Sequence, residues 1–299
     1  MPPFLKPTDR FMLTNLKRMG MGKLGLEPQI LEEAEMLMEY LEAERVVNPS
    51  STLANFTSNN IMRMMFHQRW KYGDPANKVF IKAINTISTK MPVVMLEDFV
   101  AVFSYLPHVK RAKKDTKEGL SHLRNLFREK IEKRIAEQGW VENDDFTSSY
   151  LQAHETMDQE EISTLVDLCQ DAFVGGTETT SATLNFVIVH LLNNPMWQEE
   201  LFQEISTVLQ GSVPSMDDLE KLPKLGATIQ ETLRLNPNVP MLFKATAQAT
   251  KVRDYMVPAN CLVMVNAFHI NYDPVTFPDP AIFSPQRWLH PDGTFRREF

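Results

Sequence analysis

Residues Gln159–Asn193 read QEEISTLVDLCQDAFVGGTETTSATLNFVIVHLLN. Asp158 in front offers a side-chain acceptor to the first free N–H groups, and Glu161 stands three positions on, the spacing of a helix start. Ile162, Leu165, Val166, Leu168 and Cys169 then recur at helical intervals. Nothing stops the helix before Asn193-Asn194-Pro195, so the stretch predicts one helix of 35 residues, about 50 Å long at the usual rise. Its second half, Leu184 to Leu192, is apolar on nearly every side. A helix with that pattern is expected to run through the middle of a domain.

Within it sits Gly175-Gly176-Thr177-Glu178-Thr179-Thr180. Each glycine in a helix interior costs about 1 kcal/mol relative to alanine. Two readings account for such a pair. One is close approach of a second helix, with hydroxyls bonding back into the turn. The other is that the missing side chains admit a flat cofactor, with a carboxylate and a hydroxyl beside its reactive face for proton delivery.

Upstream, residues 10–44 read as helices. Phe11, Leu13, Leu16 and Met19 share one face of a stretch made basic by Lys17, Arg18 and Lys23. Glu27 to Glu44 follows as an acidic amphipathic helix with Ile30, Leu31, Ala34, Leu37, Met38 and Leu41 as its stripe. Such a charge flip is usually two solvated faces; its sharper reading makes the basic stretch a dock for an acidic partner. Helical patterns also cover roughly 52–66, 76–90 and 109–138, with Gly139 as a stop and 139–147 as a loop. Downstream come a helix from Pro195 to Leu209, a turn at Gly211, and a Ser215-capped helix through Pro223 to Leu235. Beyond Pro237, Ala245 to Val252 and Cys261 to Asn266 read as strands joined through Asp254 and Pro258. The proline- and aromatic-rich tail from Tyr272 to Phe299 reads as an ordered meander. The fold class is mainly α with a minor β-sheet, and its 299 residues can bury a large core.

Composition narrows the function classes. A net charge of −7 excludes broad nucleic-acid binding, which needs clustered Lys and Arg. Cys169 and Cys261, the two cysteines, form neither a disulfide framework nor a metal spacing, which favours a reducing compartment. The longest apolar runs, such as Phe186 to Leu192, are too short to cross a bilayer. His269 reads as an ordinary strand-end residue rather than a metal ligand.

Two further groups stand out. Glu231-Thr232-Leu233-Arg234 puts an acid and a base at i, i+3 on one helix, by itself most simply a surface salt bridge. Phe277-Pro278-Asp279-Pro280 and Phe283-Ser284-Pro285-Gln286-Arg287-Trp288 hold an arginine among prolines and aromatics, by itself a rigid turn.

The order and combination of these segments resemble the cytochrome P-450 superfamily of haem-thiolate monooxygenases, in its animal microsomal type and closest to the drug- and steroid-metabolising branch. Gly175 to Thr180 match the oxygen-binding helix motif: a small residue, Gly, any residue, an acid, Thr, then Thr or Ser. Glu231 to Arg234 match E-x-x-R, and Pro285 to Trp288 match P-E-R-F/W with Gln286 in place of Glu. The resemblance covers nearly the whole chain and implies a cytochrome P-450-type fold, incomplete and built around the one long central helix, with 1–299 as a single partial domain.

The resemblance also implies roles. Gly175 and Gly176 would let the porphyrin of haem b lie against the helix. Glu178 and Thr179 would deliver protons for O–O cleavage, with O2 as oxidant and NADPH electrons arriving through a flavoprotein reductase. Glu231, Arg234 and Arg287 would form a buried three-way ion pair. Lys244 stands where a haem propionate is usually reached, and Phe173, Leu242 and Phe243 would face a small hydrophobic substrate. Lys17 to Lys23 would help dock the reductase. The implied location is the cytosolic face of the endoplasmic reticulum membrane.

Departures from the family pattern matter too. The axial iron-ligating cysteine, in a Phe-x-x-Gly-x-Arg-x-Cys-x-Gly loop, is expected just after Phe299, so no residue here is expected as a metal ligand. The membrane anchor and first helices are expected before Met1. The propionate-holding Trp-x-x-x-Arg reads as Leu5 and Asp9, with Arg10 next door as the substitute cofactor contact. Two function readings follow: a monooxygenase, or a non-catalytic truncated product that binds hydrophobic ligands or partners at best. An in-frame stop after Phe299 favours the second.

Overall fold

A computed structural model describes residues 7–18, 24–44, 46–95, 97, 101–138, 145–154 and 156–296, without the side chains of 7–10, 24 and 101. Ten α-helices and four short strands fall within them. Gly139 and residues 139–144 of the expected loop lie outside the described residues, as do Met19, Lys23, Leu5 and the Met-Pro-Pro start. By their contacts the residues form two compact units, Met1–Ala182 and Thr183–Phe299.

In the first unit, α1 (Pro7–Arg18), α2 (Glu27–Ala43), α3 (Pro49–Phe66), α4 (Pro75–Val94), α5 (Pro107–Ala136) and α6 (Phe146–Ala153) precede the start of α7 (Gln159–Asn193). Proline at the first turn and an acceptor side chain before it start α3 and α4. Asp74 Oδ1, for instance, accepts from Ala76 N at 2.8 Å, satisfying an N–H that the helix leaves free. The core is a cluster of rings from α3, α4, α5 and α7. Phe66 stacks on Phe127 (5.8 Å between centroids), Phe127 on Phe173 (4.8 Å), and Phe80 meets Phe173 edge-on (5.3 Å). Each buried ring contributes about 1.5–3 kcal/mol by leaving water. Gly119 lets α5 approach α4, since a Cβ there would stand 3.1 Å from Ile87 Cγ1 and 3.3 Å from the Ala83 carbonyl.

Three local expectations are corrected. The expected loop 139–147 ends earlier, because Asp145 accepts from Ser148 N at 2.8 Å and starts α6 at Phe146. Its Thr-Ser-Ser content has weak helix propensity, but all of Phe146 to Leu151 is buried, and packing outweighs propensity. The Ser215-capped helix is two pieces. Met216–Lys221 is a 3-10 turn, and α9 (Pro223–Leu235) starts afresh after Leu222, whose extended φ of −118° suits the residue before a proline. Finally, α7 is not buried throughout. Its buried residues run from Ile162 to Ser181, whereas Phe186, Ile188, Val189 and Leu192 are exposed.

The second unit holds the rest of α7, α8 (Pro195–Leu209), α9, strands β1 (Met241–Ala245), β2 (Thr250–Val252), β3 (Tyr255–Val257) and β4 (Leu262–Asn266), and α10 (Ala267–Asn271). The strands form two antiparallel ladders, β1 with β4 and β2 with β3. The expected strand Ala245 to Val252 is therefore the end of one strand and the whole of another. Thr246 marks the break: its hydroxyl donates to the Pro258 carbonyl at 2.6 Å and accepts from Cys261 N at 2.9 Å. A second core gathers Ala227, Phe277 and Trp288, flanked by Leu289 and Phe295. No helix among the described residues is long and apolar enough to cross a membrane.

Candidate functional site

The two glycines of α7 have different neighbours. A Cβ on Gly176 would stand 2.7 Å from Ile61 Cδ1 of α3, whereas one on Gly175 would meet nothing within 4 Å. One turn away on α3, Thr57 Oγ1 donates to the Thr177 carbonyl at 3.1 Å. Gly176 is thus the point where α3 is drawn against α7. The close-packing reading holds for Gly176, and the expectation that it lies against a porphyrin is corrected, because Ile61 fills that side. Gly175 alone keeps an open, exposed face.

Thr179 lies one turn on from Gly175, and its hydroxyl donates to the Gly175 carbonyl at 2.7 Å. The two residues therefore share a helix face. Glu178, half-buried beside them, has its pKa raised by burial, which favours the proton-holding form of the carboxyl. A flat ring fits this face: no side chain stands at Gly175, and a hydroxyl and a protonatable carboxyl border it. A thiolate that could hold the iron is another matter. Cys169 is fully buried in the first core with its thiol pushed by burial up to about 12, far from thiolate character at neutral pH. Cys261 is half-buried at the hairpin end where Thr246 holds its backbone. Neither thiol fits an iron ligand, and the described residues contain no cluster of metal-binding side chains.

Phe173, expected to face substrate, is fully buried and ringed by Phe80 and Phe127. Its position two residues before Gly175 turns it into the core, which corrects that expectation. Leu242 and Phe243 are neighbours on β1, paired with Val265 and Met264. Successive strand residues point to opposite faces, so the two cannot face one ligand together. Lys244 shares Leu242's face and is exposed. The side chain of Arg10, expected near a propionate, lies outside what is described. Of the basic stretch, Arg18 donates to Ser149 Oγ, and Lys23 is outside the described residues.

In the second unit Glu231 is fully buried. Arg234 grips it with two bonds, Nε to Oε2 at 2.9 Å and Nη2 to Oε1 at 2.8 Å, and Arg287 Nε adds a third at 3.0 Å. Ser284 N and the Trp288 indole N–H also donate to it, at 2.9 and 2.8 Å. Arg234 reaches on to the carbonyls of Asn271 and Pro280, both at 2.8 Å. The surface reading of the i, i+3 pair is set aside by this burial. Desolvation pushes the Glu231 carboxyl up, but the bonds from Arg234, Ser284 and Trp288 outweigh it and hold its pKa below the ordinary value. Trp288 and Ser284 were not legible as partners; an indole and a backbone N–H beside an arginine read simply as packing.

A comparable network in the first unit had no sequence signal. Glu33, fully buried on α2, accepts from Arg69 Nε at 2.9 Å and from Asn59 Nδ2 at 2.7 Å. Asn59 in turn accepts from Trp70 N at 2.9 Å.

Comparison with known proteins gives the family. Residues 3–299 match the family model described as Cytochrome P450. The chain is 28% identical to Cytochrome P450 2U1 of Mus musculus, over 97% of the chain and 57% of that protein. It is 30% identical to Cytochrome P450 2C25 of Mesocricetus auratus (98% and 61%) and to Cytochrome P450 2H1 of Gallus gallus (96% and 60%). The chain thus spans less than two thirds of the length of these relatives. The mainly helical fold, the Gly175–Thr180 turn of α7 and the Glu231 network sit within a match over nearly the entire chain, which belongs to the cytochrome P450 family.

Proposed function

We propose that these 299 residues are the greater part of a haem-dependent monooxygenase domain that inserts one oxygen atom into a small apolar substrate. Electrons come from NADPH through a flavoprotein reductase at the cytosolic face of the endoplasmic reticulum membrane. The observation that carries the proposal is the open helix face at Gly175 with Thr179 one turn on, beside a carboxyl that burial keeps protonatable.

Haem, when bound, supplies the oxygen-activating redox chemistry. This chain's residues do the rest. Gly175 leaves room for the ring edge. The Thr179 hydroxyl, parked on the Gly175 carbonyl, can turn outward to donate a proton, and Glu178 can replenish it. Lys244, exposed on β1, leaves its ammonium open to an anionic group. Glu231, Arg234, Arg287 and Trp288 hold the second unit rigid. A thiolate ligand for the iron would come from a cysteine other than Cys169. The burial of Cys169 keeps that thiol out of any ligand role.

The test is the carbon-monoxide spectrum of the reduced protein expressed from its intact coding sequence, with product formed per electron consumed. We expect a thiolate-type Soret band, and a Thr179→Ala variant that keeps the band while wasting electrons. The residues 1–299 alone should show no such band. Absence of the band from the intact protein overturns the proposal, and full coupling in Thr179→Ala removes the relay role.

A further inference from the structure

A cleft of about 400 Å³ lies in the first unit where the end of α3 meets the last turns of α5, with Phe66, Gln68, Leu126 and Lys130 in its wall. None of Gly175, Glu178 or Thr179 lines it. At the end of α3, His67 takes a left-handed φ of 53°, and the residue after it reaches α5: Lys130 Nζ donates to Gln68 Oε1 at 2.7 Å. The neighbouring cations of α5 are matched with carboxylates. Arg128 pairs with Glu132 at 3.5 Å, Lys133 with Glu137 at 3.8 Å and Arg134 with Asp145 at 2.5 Å. Among the described residues of this stretch, Lys130 is the cation whose partner is a neutral amide.

An amine so placed loses its proton more easily than its neighbours. Burial lowers the Lys130 pKa; Glu129 opposes that shift, and Arg134 and Lys133 add to it. Phe66 and Gln68, on the α3 side, bring no charge, and Glu137, the remaining charged group of the cleft, is taken up by Lys133. A lysine held partly out of water beside other cations is the usual form of an activated amine nucleophile. The geometry also says which product is favoured. Lys130, Lys133 and Arg134 stand at i, i+3 and i+4, one face of the helix, where like charges repel. An imine formed with an aldehyde keeps a positive charge there when protonated, whereas an amide removes it. Phe66 and Leu126 give apolar wall for an acyl chain.

We propose that Lys130 is an acylation site that reacts with small acyl thioesters without a transferase, because its amine faces a cleft and has no counter-charge. The nitrogen lone pair attacks the thioester carbonyl carbon, a C–N bond forms and the C–S bond breaks. The thiolate leaves and takes up the proton that the nitrogen gives up, so the products are an amide and a thiol. The test treats the full chain with S-acetyl-N-acetylcysteamine and follows each lysine by peptide mass spectrometry across pH. Access alone favours Lys133, whose side chain is 72% exposed, over half-buried Lys130. We expect the reverse order, with Lys130 acetylated about fivefold faster near neutral pH, as a larger free-amine share dictates. Its rate should also level off at lower pH than that of Lys133. Gln68 is exposed, so Gln68→Glu leaves the fold intact by thermal melt while supplying the missing counter-charge. That variant should bring the Lys130 rate down to or below the Lys133 rate. A wild-type Lys130 rate no higher than that of Lys133 overturns the proposal, and so does a Lys130 rate unchanged in Gln68→Glu.

Discussion

The indole N–H of Trp288 donates to Glu231 Oε2 at 2.8 Å across 57 residues of sequence. It makes Trp288 a direct ligand of the same carboxylate that Arg234 and Arg287 bind. The carboxylate is thereby surrounded, with donors from α9 on one side and from the Ser284–Trp288 turn on the other. A fully buried charge survives only when so enclosed, because its loss of hydration must be offset by bonds of good geometry.

Removing one member of that network should therefore cost far more than a surface pair. Glu231→Ala is expected to destabilise the fold by about 3–5 kcal/mol, since it leaves buried guanidinium groups without their counter-charge. Trp288→Phe keeps the ring packing and removes one charge-assisted bond, for a loss of about 1.5–3 kcal/mol. Denaturant unfolding of single variants and of the Glu231→Ala/Arg234→Ala double variant measures this. The double variant should lose less than the sum of the singles. Strict additivity would mean that Glu231 and Arg234 do not act together.

The depressed pKa of Glu231 sets a pH dependence of definite sign. In the unfolded chain the carboxyl takes up a proton at the ordinary glutamate value, but in the folded chain only at lower pH. Its contribution is thus fully present above that ordinary value, and is lost as pH falls through it to the folded value. Unfolding midpoints should drop from about pH 5 downward, and Glu231→Gln should flatten that slope. Glu178 acts with the opposite sign. Its pKa is raised by burial, so its folded state holds the proton longer and stability falls as pH rises above the ordinary range. Glu178→Gln should remove that fall. An unchanged profile in both variants would contradict the assignment.

The thiols give a simple check on the first core. Cys169 is fully buried with its pKa pushed up to about 12, and a thiol in that state is a poor nucleophile. Alkylation of the native protein at mildly alkaline pH should modify half-buried Cys261 and spare Cys169 until denaturant is added. Equal labelling rates would show that the core around Phe173 opens readily.

How much of this was readable beforehand varies with the kind of signal. The long helix was legible to the residue, from Gln159 to Asn193, because its start and stop are local: Asp158 Oδ1 accepts from Glu160 N and Glu161 N, both at 2.9 Å. Glu161, the acid three positions on from Asp158, has a partner that spacing did not show: its carboxylate accepts from Tyr150 OH at 2.7 Å. That partner lies on α6, which propensity did not reveal. The nested hairpins were blurred because Thr246 ends β1 through hydrogen bonds to residues twelve and fifteen positions on, information that no local window carries. Leu242 and Phe243 cannot face one ligand together because of strand alternation, and helical phase turns Phe173 into the core. Both rules were available from the sequence, but they were overridden by reading neighbours of a motif as neighbours in space.

The clearest case is the glycine pair, where adjacent identical residues carry opposite consequences. Gly175 faces open space and Gly176 faces Ile61. Gly175→Ala adds a methyl that touches nothing and removes the backbone entropy cost of glycine, so it should stabilise the fold by about 1 kcal/mol. Gly176→Leu must displace Ile61 and push α3 away from the Thr57–Thr177 bond, an overpacking that costs about 1–3 kcal/mol. Haem uptake separates the two again. Gly175→Leu should block it while leaving the fold intact, because the bulk lies on the face that we assign to the ring. Thermal melts and haem titration of the intact protein measure both. A Gly175→Leu protein with undiminished haem uptake would place the ring elsewhere, and a Gly176→Leu protein as stable as wild type would show that α3 does not depend on that contact.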